Sequence, residues 1–199
     1  MNREFWDSRY SDDQYSYGTE PNQFYKSYID GLKPGTALFL GDGEGRNSVY
    51  AAKLKWKVDA VDFSETAKIK ALDLAKNSNT DINYEVCDLS DFIFPPGKYD
   101  LVVMIFLHLP EELTKRVFTG SIISLKKNGI LLVEAFSKNH IKNNSGGPKN
   151  IDLLFSENDL KNLTTGLDPV LSESIEIVLS EGDYHNGVAD VIRFIGRKR

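Results

Sequence analysis

Cysteine is almost absent from this sequence: Cys87 is the only one. No internal disulfide can form, so a reducing compartment is the expected home. Long apolar runs are missing too. Nothing approaches the roughly 18 apolar residues of a membrane span, and Met1 is followed by polar and aromatic residues. These absences predict a soluble, cytoplasmic protein with no membrane partner. Positive charge is also in short supply. Lys and Arg number 24 against 29 Asp and Glu, a net charge of -5, which argues against a general nucleic-acid binder. Lys126-Lys127 and Arg197-Lys198-Arg199 are the dense basic clusters, and both read as solvated element ends. The three histidines, at 108, 140 and 185, are scattered. Cys87 has no second thiol beside it, so no metal site is expected.

What is present suits one folded unit. A chain of 199 residues with 41% hydrophobic content can bury a proper core. There is no repeat and no long linker. Short apolar runs alternate with helical periodicity, which predicts an α/β parallel sheet.

Residues 1–20 are rich in aromatics: Phe5, Trp6, Tyr10, Tyr15 and Tyr17. Pro21-Asn22 opens a helix with Phe24, Tyr28 and Leu32 on one face, and Lys33-Pro34-Gly35 ends it. Strands are predicted at 37–40, 58–61, 82–87, 101–106 and 130–133. Helices are predicted from about 47 to 54, from the Ser64 cap to about 77, and after Pro110. Leu113, Val117, Ile122 and Leu125 give that last helix a buried stripe. Leu101 to Phe106 is a continuous apolar run, as expected of a central strand covered on both faces. Asn128-Gly129 reads as a turn, and residues 138–150 as a polar, mobile loop. Ser156 and Asp159 form a capping-box pattern. The tail departs from this alternation. Residues 175–179 and 188–195 are rich in β-formers, and Gly182 to Gly187 between them leaves no room for a crossover helix. A parallel sheet ending in an antiparallel hairpin is predicted.

The chemistry concentrates at strand ends. Gly41-Asp42-Gly43-Glu44-Gly45 lies between a strand and a helix, where ligands bind in open α/β sheets. Three alternating glycines let the backbone turn tightly and let a ligand approach. A dinucleotide site wants Gly-x-Gly-x-x-Gly with a diphosphate on the helix N-terminus. The sixth position from Gly41 is Arg46, and from Gly43 it is Ser48. This spacing better suits a ligand without a diphosphate. Asp62 ends the second strand and can accept two hydrogen bonds from ribose hydroxyls. Its plainer role is a strand-end residue leading into the Ser64 cap. Asp88 ends the third strand, where its carboxylate can accept from an adenine amino group while the Leu89 amide donates to a ring nitrogen. Its plainer role is loop solvation or capping.

These residues resemble the class I S-adenosylmethionine-dependent methyltransferases, and within them the small tellurite-resistance and thiopurine-methyltransferase-like group. The resemblance runs through Trp6 to Tyr10, Tyr17-Gly18, Pro21-Asn22 and Leu40 to Asn47. It continues through Asp62-Phe63-Ser64, Cys87-Asp88-Leu89, Phe106 to Pro110 and Lys127-Asn128-Gly129. It covers nearly the whole chain, so residues 1–199 are taken as one domain, a lid and helix over 1–35 and a sheet core over 36–199. It implies a Rossmann-like, doubly wound, mostly parallel seven-stranded sheet with an antiparallel C-terminal hairpin. It also implies S-adenosylmethionine as cofactor and methyl transfer to a small molecule, with a thiol or a chalcogen oxyanion such as tellurite as acceptor. Carried over position by position, Gly41, Asp42, Gly43 and Gly45 back the methionyl part and ribose. Asp62, with Phe63 beside it, binds ribose, and Asp88 with Leu89 binds adenine. Phe106 lies near the sulfonium, and Tyr10 and Tyr17 belong to a lid over the cofactor. The family often carries an acid two places before the first glycine. Here that place is Phe39, and Asp42 stands inside the loop instead. A monomer or weak dimer is expected.

Methyl transfer from a sulfonium asks the protein mainly to bind, align and exclude water. A thiolate acceptor needs little help, whereas a hydroxyl or amine needs a base. His108, His140 and His185 are the candidates, and His108, just after the fourth strand, sits nearest the expected active edge. Arg46 follows the loop and can steer an anionic acceptor; its plainer role is a solvated helix-start residue. Cys87 reads as a small buried residue rather than a nucleophile. No residue is singled out as catalytic. Two other functions remain open on the sequence: a nicotinamide-dependent oxidoreductase, and a module that binds the cofactor without turnover.

Overall fold

The computed structural model describes residues 2–199. The N-terminal segment carries α1 (Arg3–Arg9) and α2 (Gln23–Ile29). The sheet then follows as β1 (Thr36–Leu40), β2 (Lys57–Asp62), β3 (Asn83–Val86), β4 (Tyr99–Ile105), β5 (Leu125–Phe136), β6 (Leu167–Ser180) and β7 (Asn186–Lys198). The helices between them are α3 (Arg46–Lys53), α4 (Glu65–Asn77), α5 (Glu111–Ser124) and α6 (Glu157–Leu163). Strand order is β3-β2-β1-β4-β5-β7-β6. The first five strands pair in parallel, and β7 runs antiparallel between β5 and β6. This is the Rossmann-like seven-stranded sheet with an antiparallel C-terminal hairpin.

The central strands are apolar without interruption because both faces are covered. Leu38, Leu40, Val102 and Met104 pack on one side with Val117 and Phe118 of α5 and Leu160 of α6. Ala37, Phe39, Leu101 and Val103 pack on the other with Tyr25 of α2, Ala51 of α3 and Ala71 of α4. The period of two along each strand makes this division.

The local signals hold at most helix ends. Asn22 caps α2 by accepting from the Tyr25 amide at 2.9 Å, and Ser64 caps α4 by accepting from Ala67 at 3.1 Å. The Ser156–Asp159 capping box closes in both directions. Other expectations are corrected. The buried face of α2 is Phe24, Tyr25 and Ile29, while Tyr28 is only half-buried. Asn128-Gly129 is not a free turn but lies within β5, with Asn128 left-handed at φ 65° and the pairing to β4 shifted there. Residues 138–150 are not a plain polar loop: a 3-10 turn spans Lys138–Lys142, and His140 and Ser145 are buried. Strand β6 begins earlier than its β-rich core. Its first residues are mostly exposed on the sheet edge, and a register shift at Pro169/Leu171 interrupts the ladder where proline has no N–H to donate.

Chain order creates the crevice. From β1 the chain winds outward through β2 to β3, then returns to β4 on the other side of β1. Adjacent carboxyl ends of β1 and β4 therefore feed loops that diverge, the place where open α/β sheets bind ligands.

Candidate active site

The loop after β1 makes the floor of this crevice. Gly41, Gly43 and Gly45 all have positive φ, at 63°, 60° and 86°, a conformation that costs other residues about 1–2 kcal/mol. Space is equally tight. A Cβ on Gly41 would stand 2.6 Å from the Leu107 side chain, and one on Gly43 2.9 Å from the Tyr10 hydroxyl. Gly45 differs in role. Its Cβ would meet Ala71 of α4 at 2.7 Å, so this glycine lets α4 pack against the loop.

A cavity of about 740 Å³ opens above the loop, within the size range of small-molecule sites. Gly41, Asp42 and Gly43 line it from β1, Asp62 and Phe63 from β2, and Asp88 and Leu89 from β3. Phe106 lines it from β4, and Tyr10 and Tyr17 from the N-terminal segment. The structure therefore brings together every residue expected from the sequence except Gly45, which lies behind the loop.

Each strand end is held in place. Asp62 is buried and accepts the Gly43 amide at 3.1 Å on one oxygen and the Ser64 amide at 3.0 Å on the other. Burial pushes its carboxyl up to about 6, against the pull of those amides. Asp88 accepts from the Ser90 amide at 2.8 Å in an Asx turn. Phe106 stands at φ 53°, which is strained for a bulky residue. Its amide continues the ladder to the Glu134 carbonyl at 2.7 Å, and its ring centroid lies 4.6 Å from Phe136 and 4.5 Å from His185. The β5 neighbour thus aims an aromatic ring at the cavity from the strand end.

The N-terminal segment covers the site through contacts that sequence reasoning missed. Glu44, buried inside the glycine loop, accepts the Ser16 amide at 2.8 Å and pairs with Lys70 of α4 at 2.5 Å. Tyr10 is buried and stacks on Trp6 with centroids 5.5 Å apart. On the far side Arg46, Glu181 and Asn22 tie α3, the hairpin turn and the cap of α2 together. Glu44 and Glu181 carry no local pattern that distinguishes them from surface acids. Only the tertiary fold buries them.

The three histidines separate cleanly. His108 donates from Nδ1 to the Leu153 carbonyl at 2.7 Å and accepts the Phe136 amide on Nε2 at 3.2 Å. Burial holds it down to about 4. Both nitrogens are committed, so it is a neutral structural residue and not a base, contrary to its favourable position in the sequence. His140 is committed in the same way, to the Gly146 carbonyl at 3.0 Å and the Asp190 amide at 3.2 Å. His185 is different. It lines the cavity, its Nδ1 lies 3.4 Å from Glu181 Oε2, and its Nε2 makes no hydrogen bond among the described residues. Burial lowers its pKa below the ordinary 6.5. Cys87 is half-buried, with its thiol directed to the Asp88 carbonyl at 3.3 Å, and burial raises its pKa. No cluster of metal-ligating side chains occurs among the described residues. No helix among them is long and apolar enough to cross a membrane.

A Rossmann-like sheet with this strand order matches the methyltransferase fold. Residues 37–129 match the family model described as a methyltransferase domain. A search of curated proteins finds no match. Among solved structures, one described for the conversion of a disulfide bond into a thioacetal group during echinomycin biosynthesis is similar with a TM-score of 0.82 and 17% identity. The match covers 98% of this chain and 92% of that one. TehB from Haemophilus influenzae is similar at 0.74 and 19%, over 99% of this chain and 67% of that one. The N-methyltransferase NodS from Bradyrhizobium japonicum WM9, in complex with S-adenosylhomocysteine, is similar at 0.75 and 14%, over 98% and 97%. The cofactor that the matched domain and the S-adenosylhomocysteine-bound neighbour indicate is S-adenosylmethionine. The residues present fit it. A cavity of small-molecule size stands over the glycine loop, Asp62 offers a buried acceptor, and one oxygen of Asp42 is buried without any partner.

Proposed function

We propose that the protein methylates a small-molecule acceptor from S-adenosylmethionine, working as one domain whose N-terminal segment is the lid. The observation that carries this reading is the convergence of the Gly41–Gly45 loop, Asp62, Asp88 and Phe106, from four successive parallel strands, on one cavity closed by Tyr10 and Tyr17. Asp62 accepts the ribose hydroxyls, Asp88 and the Leu89 amide take adenine, and Phe63 lies along the same wall. Phe106 would lie near the sulfonium. Bound there, S-adenosylmethionine supplies an electrophilic methyl group and leaves as S-adenosylhomocysteine.

The chain's own work is alignment, exclusion of water and handling of one proton. Glu181 accepts from His185 Nδ1–H, which leaves the Nε2 lone pair toward the cavity. Nε2 would take the proton of a protonated acceptor held in the cavity. The aromatic wall of Tyr17, Phe106 and Phe136 around His185 limits the acceptor to a small molecule. The net charge of -5 speaks against nucleic acid. A thiol or a chalcogen oxyanion such as tellurite fits these limits.

Calorimetry with S-adenosylmethionine, S-adenosylhomocysteine and NADH tests the cofactor. Binding of the first two in the micromolar range and no binding of NADH is expected. Absence of both at high micromolar concentration ends the proposal. A panel of thiols, halides, selenite and tellurite, read by S-adenosylhomocysteine release, then tests turnover; cofactor binding with no product from any acceptor reduces the protein to a binding module.

A further inference from the structure

Two carboxylates face the cavity from the same corner, and they are not equivalent. Asp62 has a backbone N–H on each oxygen. It is already balanced, and neutral hydroxyl donors suit it. Asp42 is unbalanced. Its Oδ2 accepts from the Ser48 hydroxyl at 2.5 Å, and its Oδ1 is buried with no partner. No Lys, Arg or His pairs with Asp42 among the described residues. Arg46, the nearest cation in sequence, is turned to Glu181 at 2.9 Å. A buried carboxylate oxygen left without a donor costs more than a lost neutral hydrogen bond. Such an atom is tolerated where a ligand supplies the missing charge.

From this geometry we infer that Asp42 recognises the α-ammonium group at the methionyl end of the cofactor. Of the cofactor's groups, the ammonium is the one that brings both positive charge and N–H donors. The sulfonium brings charge without a donor, and the ribose and adenine bring donors without charge. Phe39, on the strand just before the loop, cannot share the task. It is fully buried and packs edge-on to Tyr25 at 5.7 Å. This assignment rests on the cofactor reading above.

The groups around Asp42 set how it titrates. Ser48 and Arg46 face it from α3, Asp62 from β2 and Tyr25 from α2, with Tyr84 of β3 beyond. Burial pushes the Asp42 carboxyl up to about 7, with Asp62 adding to the shift and Ser48 and Arg46 opposing it. The cofactor's ammonium needs the ionised form.

The test compares two ligands by equilibrium titration. S-adenosylhomocysteine carries the amino-acid tail, whereas 5′-methylthioadenosine has the same nucleoside and lacks the tail. Asp42→Asn is expected to weaken S-adenosylhomocysteine at least 10-fold and to leave 5′-methylthioadenosine within 2-fold. Equal weakening of both, or no weakening of the first, overturns the assignment. The wild-type protein supplies a second measurement that needs no variant. The ratio of the two affinities is expected to favour S-adenosylhomocysteine less as pH falls from 8 to 6. Asp62 cancels in that ratio because both ligands carry the ribose diol. A ratio constant over that range also overturns the assignment. If the wild-type protein binds neither ligand, the cofactor reading itself falls, and this assignment falls with it.

Discussion

The guanidinium of Arg46 lies 2.9 Å from the carboxylate of Glu181, and both side chains are about one-tenth exposed (9% and 10%). The pair joins the first turn of α3, just behind the glycine loop, to the turn between β6 and β7. Asn22 donates to the other Glu181 oxygen at 3.1 Å and to Glu134 at 2.6 Å. Glu134 in turn pairs with Arg193 at 2.5 Å. The α2 cap, the start of α3 and the hairpin are thus held by one buried polar network.

Breaking that pair from one side strands a buried charge. Glu181→Gln is expected to lower the unfolding free energy by about 3 kcal/mol, the usual order for an uncompensated buried ion, measured by urea denaturation. Burial raises the Glu181 carboxyl, but the His185 hydrogen bond and the Arg46 charge outweigh it and hold it at about 2. The folded pKa is depressed, so the stabilisation is complete above about pH 4.5 and is lost as pH falls towards 2. A variant with the wild-type pH dependence below 4.5 would contradict the network.

Gly45→Ala separates structure from ligand contact. The new methyl group meets Ala71 at 2.7 Å in a backbone at φ 86°. Strain and overpacking together cost about 2–4 kcal/mol. A drop in thermal midpoint is expected for the ligand-free protein. An unchanged midpoint would show that α4 moves away freely.

His108 and His185 should respond oppositely to substitution. Burial keeps His108 neutral, with its pKa at about 4 against an ordinary 6.5. Its folded value is lowered, so the unfolded chain takes up the proton first. Stability therefore falls as pH drops from 6.5 to 4, by roughly 3 kcal/mol from this group. His108→Asn removes that slope and lowers stability at neutral pH. His185→Gln instead lowers kcat for a protonated acceptor by about 10²-fold or more, as expected of a lost general base. In the wild-type protein activity falls as pH drops below 6.5, through the lowered His185 pKa. That acid limb disappears in the variant. Retention of the limb after substitution would assign the proton to another group.

Asp42 has the reverse sign. Its raised pKa means that the folded protein holds a proton the unfolded chain has lost, so ligand-free stability falls as pH rises from 3.8 to about 7. The difference in unfolding free energy between Asp42→Asn and the wild type is expected to shift in the variant's favour across that interval. A difference independent of pH would show that the carboxyl ionises without penalty.

The alternation of strands and helices was legible in the sequence because central strands covered on both faces leave continuous apolar runs, as at Leu101 to Ile105. The caps at Asn22, Ser64 and Ser156 were legible because capping is a local hydrogen bond. The face of α2 was read only in part: Phe24 is buried as expected, while Tyr28 and Leu32 are half-buried. Its fully buried residues are Tyr25 and Ile29, and the Tyr25 hydroxyl donates to the Asn47 carbonyl at 3.1 Å, a contact between segments 22 residues apart. The early start of β6 was invisible because an edge strand buries little and carries polar residues along its length.

By itself the sequence determined the spacing of Gly41, Gly43 and Gly45, the acids at the ends of β2 and β3, and the hairpin that closes the sheet. These depend on backbone conformations and periods that a short stretch of chain dictates. Only the tertiary structure decided which histidine is free, which acids are buried and which oxygen of Asp42 lacks a partner. Ionisation and hydrogen-bond satisfaction depend on what distant segments bring within about 3 Å. His108 and His185 show the difference: the fold consumes both nitrogens of the first and leaves Nε2 of the second without a hydrogen-bond partner among the described residues.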